Sequence, residues 1–173
     1  SGTPRVTAAN EPAEHDGIRI GEALADARAK AENLQVRAAD PAADDAALRA
    51  LALWATRYTP AVAMFDEKSG RDGLFLDVAG ASHLFGGEAS LIADFAARLA
   101  HIGLPERTAI AATAGAAWAL ARFGTPGTIL IAGQEAAALA PLPIEALRLT
   151  GETRKTLRRL GFRRVGALLD NPR

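Results

Sequence analysis

Gly73-Leu74-Phe75-Leu76-Asp77-Val78-Ala79-Gly80 is the stretch that organises the rest of the chain. Leu74, Leu76 and Val78 alternate with Gly73, Phe75 and Asp77, the period-2 pattern of a strand with two unlike faces. Ala61 to Phe65 is a second short apolar run, and the polar loop Asp66-Glu67-Lys68-Ser69-Gly70-Arg71-Asp72 joins the two. The pair is the clearest hairpin signal in the sequence. Upstream, Asp40-Pro41 opens a helix with a capping carboxylate and a proline at its first position, and Ala47, Leu51, Trp54 and Tyr58 recur at helical spacing until Pro60 ends it. Downstream, Gly86-Gly87 precedes a helix over Glu88–His101 with Leu91, Phe95, Leu99 and Ile102 on one side. Arg107–Ala112 reads as a strand, Thr113–Arg122 as an Ala-rich helix capped by Thr113, and Thr128–Ala132 as a further short strand. Nearer the start come a β-compatible piece around Val6, a helix over Gly21–Glu32 and a strand over Leu34–Ala38. Residues 134 to 173 carry no strand pattern, only short helices parted by Pro141, Pro143, Gly151 and Gly161. The expectation is an α+β fold followed by an all-α segment, with a boundary between Ala132 and Pro143.

Composition narrows the class. The chain has 173 residues and no cysteine, which argues against a disulfide scaffold or a Cys-ligated zinc site. Alanine supplies 41 residues of an apolar fraction of 49%, so the core should be thin and helix-rich. The uncharged stretch between Arg107 and Arg122 falls short of the roughly 18 apolar residues a membrane span needs. Ser1-Gly2-Thr3-Pro4-Arg5 shows neither an initiator Met nor a charged-then-apolar leader and reads as a cut boundary. These features predict a soluble, cytoplasmic protein.

A formal net charge of zero hides an asymmetry. From Arg148 onward eight Lys or Arg face only Glu152 and Asp170, a net +6, and the preceding residues carry −6. Local potential steers binding whatever the whole-chain sum, so the tail is a candidate for an anionic partner. Thr150-Gly151-Glu152 separates a helix at Ile144–Leu149 from one at Thr153–Leu160, and Gly161-Phe162-Arg163 turns the chain into Val165–Leu169. Two short helices about a glycine turn resemble a helix-hairpin-helix, whose backbone N–H groups hold a DNA phosphate. Gly151 occupies the first glycine position, and Thr153 stands where a second is usual. Arg154, Lys155, Arg158 and Arg159 form an i, i+1, i+4, i+5 stripe, extended by Arg163 and Arg164. The simpler alternative is a basic, solvated helix.

Catalytic motifs are scarce. Asp72 and Asp77 flank one strand, but alternation puts them on opposite faces, so they do not converge on a metal; Asp77 reads as a strand-end acceptor. His15, His83 and His101 have no ligand spacing and read as surface or turn residues. GxSxG, GxxxxGKS and HExxH are absent, and no metal or cofactor is expected.

The run Gly73–Gly80, followed by His83-Leu84-Phe85-Gly86-Gly87-Glu88, resembles the palm of a Y-family (translesion) DNA polymerase. Gly17-Ile18 through Glu22-Ala23-Leu24, Ala109-Ile110-Ala111 and Thr125-Pro126-Gly127 follow in the family's order. The resemblance implies a ferredoxin-like palm over 41–132, a small fingers-like segment over 1–40, and a thumb-like helix-hairpin-helix over 133–173.

The departures carry more information. Active members hold two metals with an Asp-Glu pair whose matching positions here are Asp72 and Gly73. The Tyr and Arg that hold the incoming triphosphate match Glu11 and Glu14, and a Lys before Pro matches Thr125. Thr113-Ala114 replaces an Asn-Lys at the start of the following helix. Anions repel a triphosphate, and phosphoryl transfer depends on fixed cations and metals. His83–Glu88 and Gly115–Arg122 further resemble the ImuB branch, regarded as catalytically inactive. That implies a non-enzymatic adaptor in the bacterial SOS response and induced mutagenesis, bridging DNA, the sliding clamp, a RecA-like accessory protein and a replicative-type polymerase. Most partner-binding elements of that branch would lie downstream of Arg173, which makes this chain an N-terminal piece. The expected DNA-binding residues are Gly151, Arg154, Lys155, Arg158, Arg159, Gly161, Arg163 and Arg164. Two other readings stay open, an active translesion polymerase and a protein-interaction module that does not bind DNA.

Overall fold

The computed structural model describes residues 2–65 and 72–169. Residues 66–71 of the expected loop and the end of the chain from 170 lie outside the described residues. The fold is α+β, and the chain divides into two compact units between Asp44 and Asp45.

In the first unit α1 (Glu11–His15) starts at Asn10, whose side chain accepts from the Ala13 N–H at 3.1 Å. The β-compatible piece around Val6 forms a single antiparallel bridge, Arg5 to Ala23, fixed by Val6 N–H to Glu22 O at 3.0 Å. α2 (Leu24–Lys30) follows, shorter at both ends than the helix expected over Gly21–Glu32. Leu34–Ala38 is not a strand. Its alternating apolar residues find no ladder partner among the described residues, and Val36 stays 42% exposed, so nothing rewards the extended pairing that the pattern allows.

α3 (Pro41–Ala55) begins as expected, with the Asp40 carboxylate accepting from the Ala43 N–H at 3.0 Å. In the second unit β1 (Val62–Met64) and β2 (Leu74–Leu76) form the hairpin ladder, in antiparallel register Val62 to Leu76, Ala63 to Phe75 and Met64 to Leu74. A 3-10 turn at Ser82–Phe85 leads into α4 (Glu88–His101), which has the expected bounds. β3 (Ala109–Ile110) and β4 (Thr128–Ile129) pair in parallel, and α5 (Ala114–Phe123) makes the crossover a parallel pair requires. Thr113 caps α5, accepting from the Ala116 N–H at 3.2 Å. Arg107 holds its other end, donating from Nε to the Ala121 carbonyl at 2.7 Å and from Nη2 to that of Gly124 at 2.5 Å.

Two clusters fill this unit. Tyr58, 2% exposed, packs against Trp54, Phe85 and Phe95 at ring separations of 5.1–5.8 Å and donates its hydroxyl to Asp94 at 2.6 Å. Burial, with the Asp94 hydrogen bond second, pushes the Tyr58 phenol up to about 12. Asp94 is held below the usual carboxylate range by its hydrogen bond from Arg98 and then by that from Tyr58. The other cluster joins Trp118, Ala119 and Leu120 of α5 to Leu142, Ala146 and Val165, with Phe65 and Phe75 packed against it. Ala55, Ala116, Ala119 and Ala146 are among the buried residues of this unit.

The C-terminal segment contains α6 (Glu135–Leu139), a 3-10 turn at Ile144–Leu147, α7 (Gly151–Arg159) and α8 (Gly166–Leu169). The helix expected at Ile144–Leu149 is thus one 3-10 turn. A small antiparallel bridge, Pro143 to Arg164, closes the base of the segment through Ile144 N–H to Arg163 O at 3.1 Å and Val165 N–H to Leu142 O at 2.9 Å.

Candidate nucleic-acid interface

The hairpin register puts Phe65 opposite Gly73, with the Phe65 N–H on the Gly73 carbonyl at 2.8 Å. Its ring turns onto the glycine. A Cβ at position 73 would meet ring atoms of Phe65 at 2.4, 2.7 and 2.8 Å. The ring is braced by Phe75, the next residue on the same strand face, at a centroid separation of 4.5 Å. Asp72 is exposed and its Oδ1 accepts from Arg122 Nη2, an ion pair that spans the interval from the hairpin to α5. Asp77 Oδ1 accepts from the Ala79 N–H at 3.1 Å, the strand-end role its position suggested. Among the described residues no three His, Cys, Asp or Glu side chains converge as metal ligands. His15, His83 and His101 are exposed.

Glu11 and Glu14 project from α1, exposed, and line a shallow open depression with His15 and Arg19. Arg19 is turned onto backbone, donating from Nη1 to the carbonyls of Glu14 at 2.8 Å and Ile18 at 3.0 Å. Lys30 pairs with Glu22 and donates to the Gly17 carbonyl at 3.0 Å, and Arg5 donates to Gly21 O at 2.7 Å. Thr125 is exposed, and its carbonyl accepts from the Thr128 hydroxyl at 2.6 Å.

The basic helix α7 has well-formed ends. Thr150 Oγ1 accepts from the Thr153 N–H at 3.3 Å, capping α7. At its far end Gly161, at φ 90°, closes a Schellman motif: Phe162 N–H reaches Leu157 O at 2.9 Å and Gly161 N–H reaches Arg158 O at 3.1 Å. Gly151 itself has nothing within 4 Å of a would-be Cβ, so packing does not require glycine there. The stripe is less uniform than its spacing suggests. Lys155 pairs with Glu152 at 2.9 Å, Arg158 with Glu145 at 2.7 Å, and Arg164 donates to the Pro141 carbonyl at 2.6 Å. Arg154 is half-buried, on the side of Leu157, while Arg159 and Arg163 are exposed. Three participants were not singled out from the sequence: Phe65, Arg122 and Glu145. Phe65 had a usable signal, since the hairpin register fixes its partner.

Residues 1–122 match the model of the impB/mucB/samB family. The chain is 51% identical over 157 residues to Protein ImuB of Caulobacter vibrioides, in strain NA1000 / CB15N and equally in strain ATCC 19089 / CIP 103742 / CB 15. That alignment covers 91% of this chain and 33% of the relative, so the chain spans about a third of the relatives' length. Among solved structures, DinB from Sulfolobus solfataricus superposes with a TM-score of 0.73 at 15% identity, over 95% of this chain and 48% of that one. A DinB family error-prone DNA polymerase from Sulfolobus solfataricus gives 0.70 at 18% identity, over 99% and 53%. At such identities the superpositions speak for the fold, and the family match for kinship: the chain belongs to the impB/mucB/samB family, as a Y-family polymerase-like protein of the ImuB branch.

Proposed function

We propose that this chain is the non-catalytic, DNA-binding part of a polymerase-like adaptor that serves bacterial DNA damage tolerance, in translesion synthesis and induced mutagenesis. The carrying observation is the filled position at 73. Where an active polymerase would hold a metal-binding Glu, Gly73 is covered by the Phe65 ring, and the neighbouring Asp72 is paired with Arg122. These residues do not fit a two-metal pair. One carboxylate is missing and a divalent cation would have to displace a guanidinium from the other. Glu11 and Glu14 repel a triphosphate, and Arg5, Arg19 and Lys30 are engaged by the protein's own carbonyls and Glu22.

DNA contact then falls to the capped N-terminus of α7 and the exposed Arg159 and Arg163, with Lys155, Arg158 and Arg164 held by local acceptors at its flanks. In this reading 1–40 is fingers-like, 41–132 palm-like and 133–173 thumb-like. The sliding clamp, a RecA-like accessory protein and a replicative-type polymerase are the proposed protein partners of the whole protein, in the cytoplasm, mostly through regions outside this chain.

Primer extension by the full-length parent with Mg²⁺ or Mn²⁺ is the direct test. No templated incorporation is expected, and robust incorporation refutes the reading. Binding to primer-template DNA should be independent of sequence, with log K falling against log salt at a slope of roughly −3 if three or four phosphates are neutralised. Arg158→Glu with Arg159→Glu should abolish it. The engagement of three of the basic side chains favours, as a second reading, a protein-interaction module. Absence of DNA binding at low salt would decide for that module.

A further inference from the structure

We infer that Arg148 is a positioning residue that fixes the basic α7: its guanidinium, within cation–π reach of the rings of both Phe75 and Trp118, orients α7 for DNA without itself touching DNA. The functional half of this inference rests on the DNA-binding reading above, and the structural half stands without it.

Arg148 ends the 3-10 turn at φ 53° and ψ 31°, the left-handed region. Among the described residues it is the only non-glycine with positive φ. A side chain is disfavoured there and persists where its surroundings over-determine it. Two aromatic rings are among those surroundings. The guanidinium carbon lies 5.9 Å from the centroid of Phe75 and 5.9 Å from that of Trp118, and Nε is buried. Trp118 is 6% exposed in the core, so it offers a fixed face, and a half-buried cation beside it gains more than one at the surface. The series continues on both sides. Arg122 lies over the same indole at 5.4 Å and pairs with Asp72, while Phe75 braces Phe65 against Gly73. The two positions at which an active relative would hold metal are therefore the two ends of one cation–aromatic series, and its middle member stands two residues before the Thr150 cap of α7.

Native-state hydrogen exchange and DNA titration on the whole chain test this. In Arg148→Gln the Arg154 amide, which makes the first 3.0 Å bond of α7 to Thr150 O, should exchange about ten-fold faster, with amides of α4 changed less than two-fold. Affinity for a primer-template duplex should fall about ten-fold at an unchanged salt slope, because no phosphate contact is lost. Arg148→Lys keeps the charge without the broad, weakly hydrated guanidinium that reaches both rings and should not rescue. Phe75→Leu leaves every charge in place and should reproduce the loss. Unchanged exchange in α7, equal acceleration throughout α4, or rescue by Lys overturns the inference. So does a salt slope shallower by about one, which would make Arg148 a phosphate contact. A wild-type chain that binds no DNA refutes the DNA-binding reading alone, and the exchange data still decide whether Arg148 fixes α7.

Discussion

Gly73→Ala sets two opposed effects against each other, and the structure says which wins. Removing a strand glycine restricts the unfolded chain and should stabilise by about 0.5–1 kcal/mol where the new methyl fits. At position 73 it does not fit. The added Cβ would lie 2.4 Å from the nearest Phe65 ring atom, and the ring yields only by leaving Phe75. Forced repacking of this kind costs about 1–3 kcal/mol, and the lost aromatic pair accounts for about 0.5–1.5 kcal/mol of that. At mid-range the net expectation is a destabilisation of about 1 kcal/mol, read as a lower urea midpoint at unchanged m. In a Phe65→Ala background the methyl has room, and the same substitution should stabilise by about 0.5 kcal/mol or more. The double-mutant cycle thus requires a change of sign, which few alternative packings would give. A neutral or stabilising Gly73→Ala in the wild-type background would refute the claim that Phe65 occupies this space, and with it the main support for the non-catalytic reading.

Other outcomes follow from single contacts. Tyr58 is protonated in the folded state up to about 12 against an unfolded value of 10.0, so its contribution is complete below pH 10 and is lost as pH rises toward 12. Alkaline urea titrations should show that loss in the wild type and not in Tyr58→Phe. Arg107→Ala leaves the last carbonyls of α5 without their donor and should lower stability by about 1–2 kcal/mol in chemical melts. Thr113→Ala removes the cap at the other end of that helix, with an expected loss of about 1 kcal/mol. Glu145→Gln releases Arg158 from its ion pair and should strengthen DNA binding while steepening the salt slope by about one, measured by fluorescence anisotropy across a salt series.

Elements whose causes are local were legible in the sequence. Glu88–His101 follows a pair of glycines and carries its own periodicity, and the Asp40 and Thr113 caps act within three residues. Leu34–Ala38 shows the limit of that logic, because a strand needs a partner that no local pattern specifies. The hairpin was legible too, whereas the contact of the Phe65 ring with Gly73 comes from its register. Arg148 left no trace. Its left-handed backbone normally marks glycine or asparagine, and its two rings lie 30 and 73 positions away in the chain. The basic stripe was visible as spacing, whereas its restraint by Glu145 and by the Pro141 carbonyl depends on the 3-10 turn and the bridge that follows.

The cluster that joins α5 to the C-terminal segment has a consequence for how the molecule comes apart. Trp118, Ala119 and Leu120 share their buried surface with Leu142, Ala146 and Val165, so neither side keeps a closed interior when the other is removed. A chain ending near Ala132 would present the indole and Leu120 to water and behave as a sticky intermediate. Residues 45–169 should therefore melt in one cooperative step, and limited proteolysis should find no stable fragment bounded between Ala132 and Pro143.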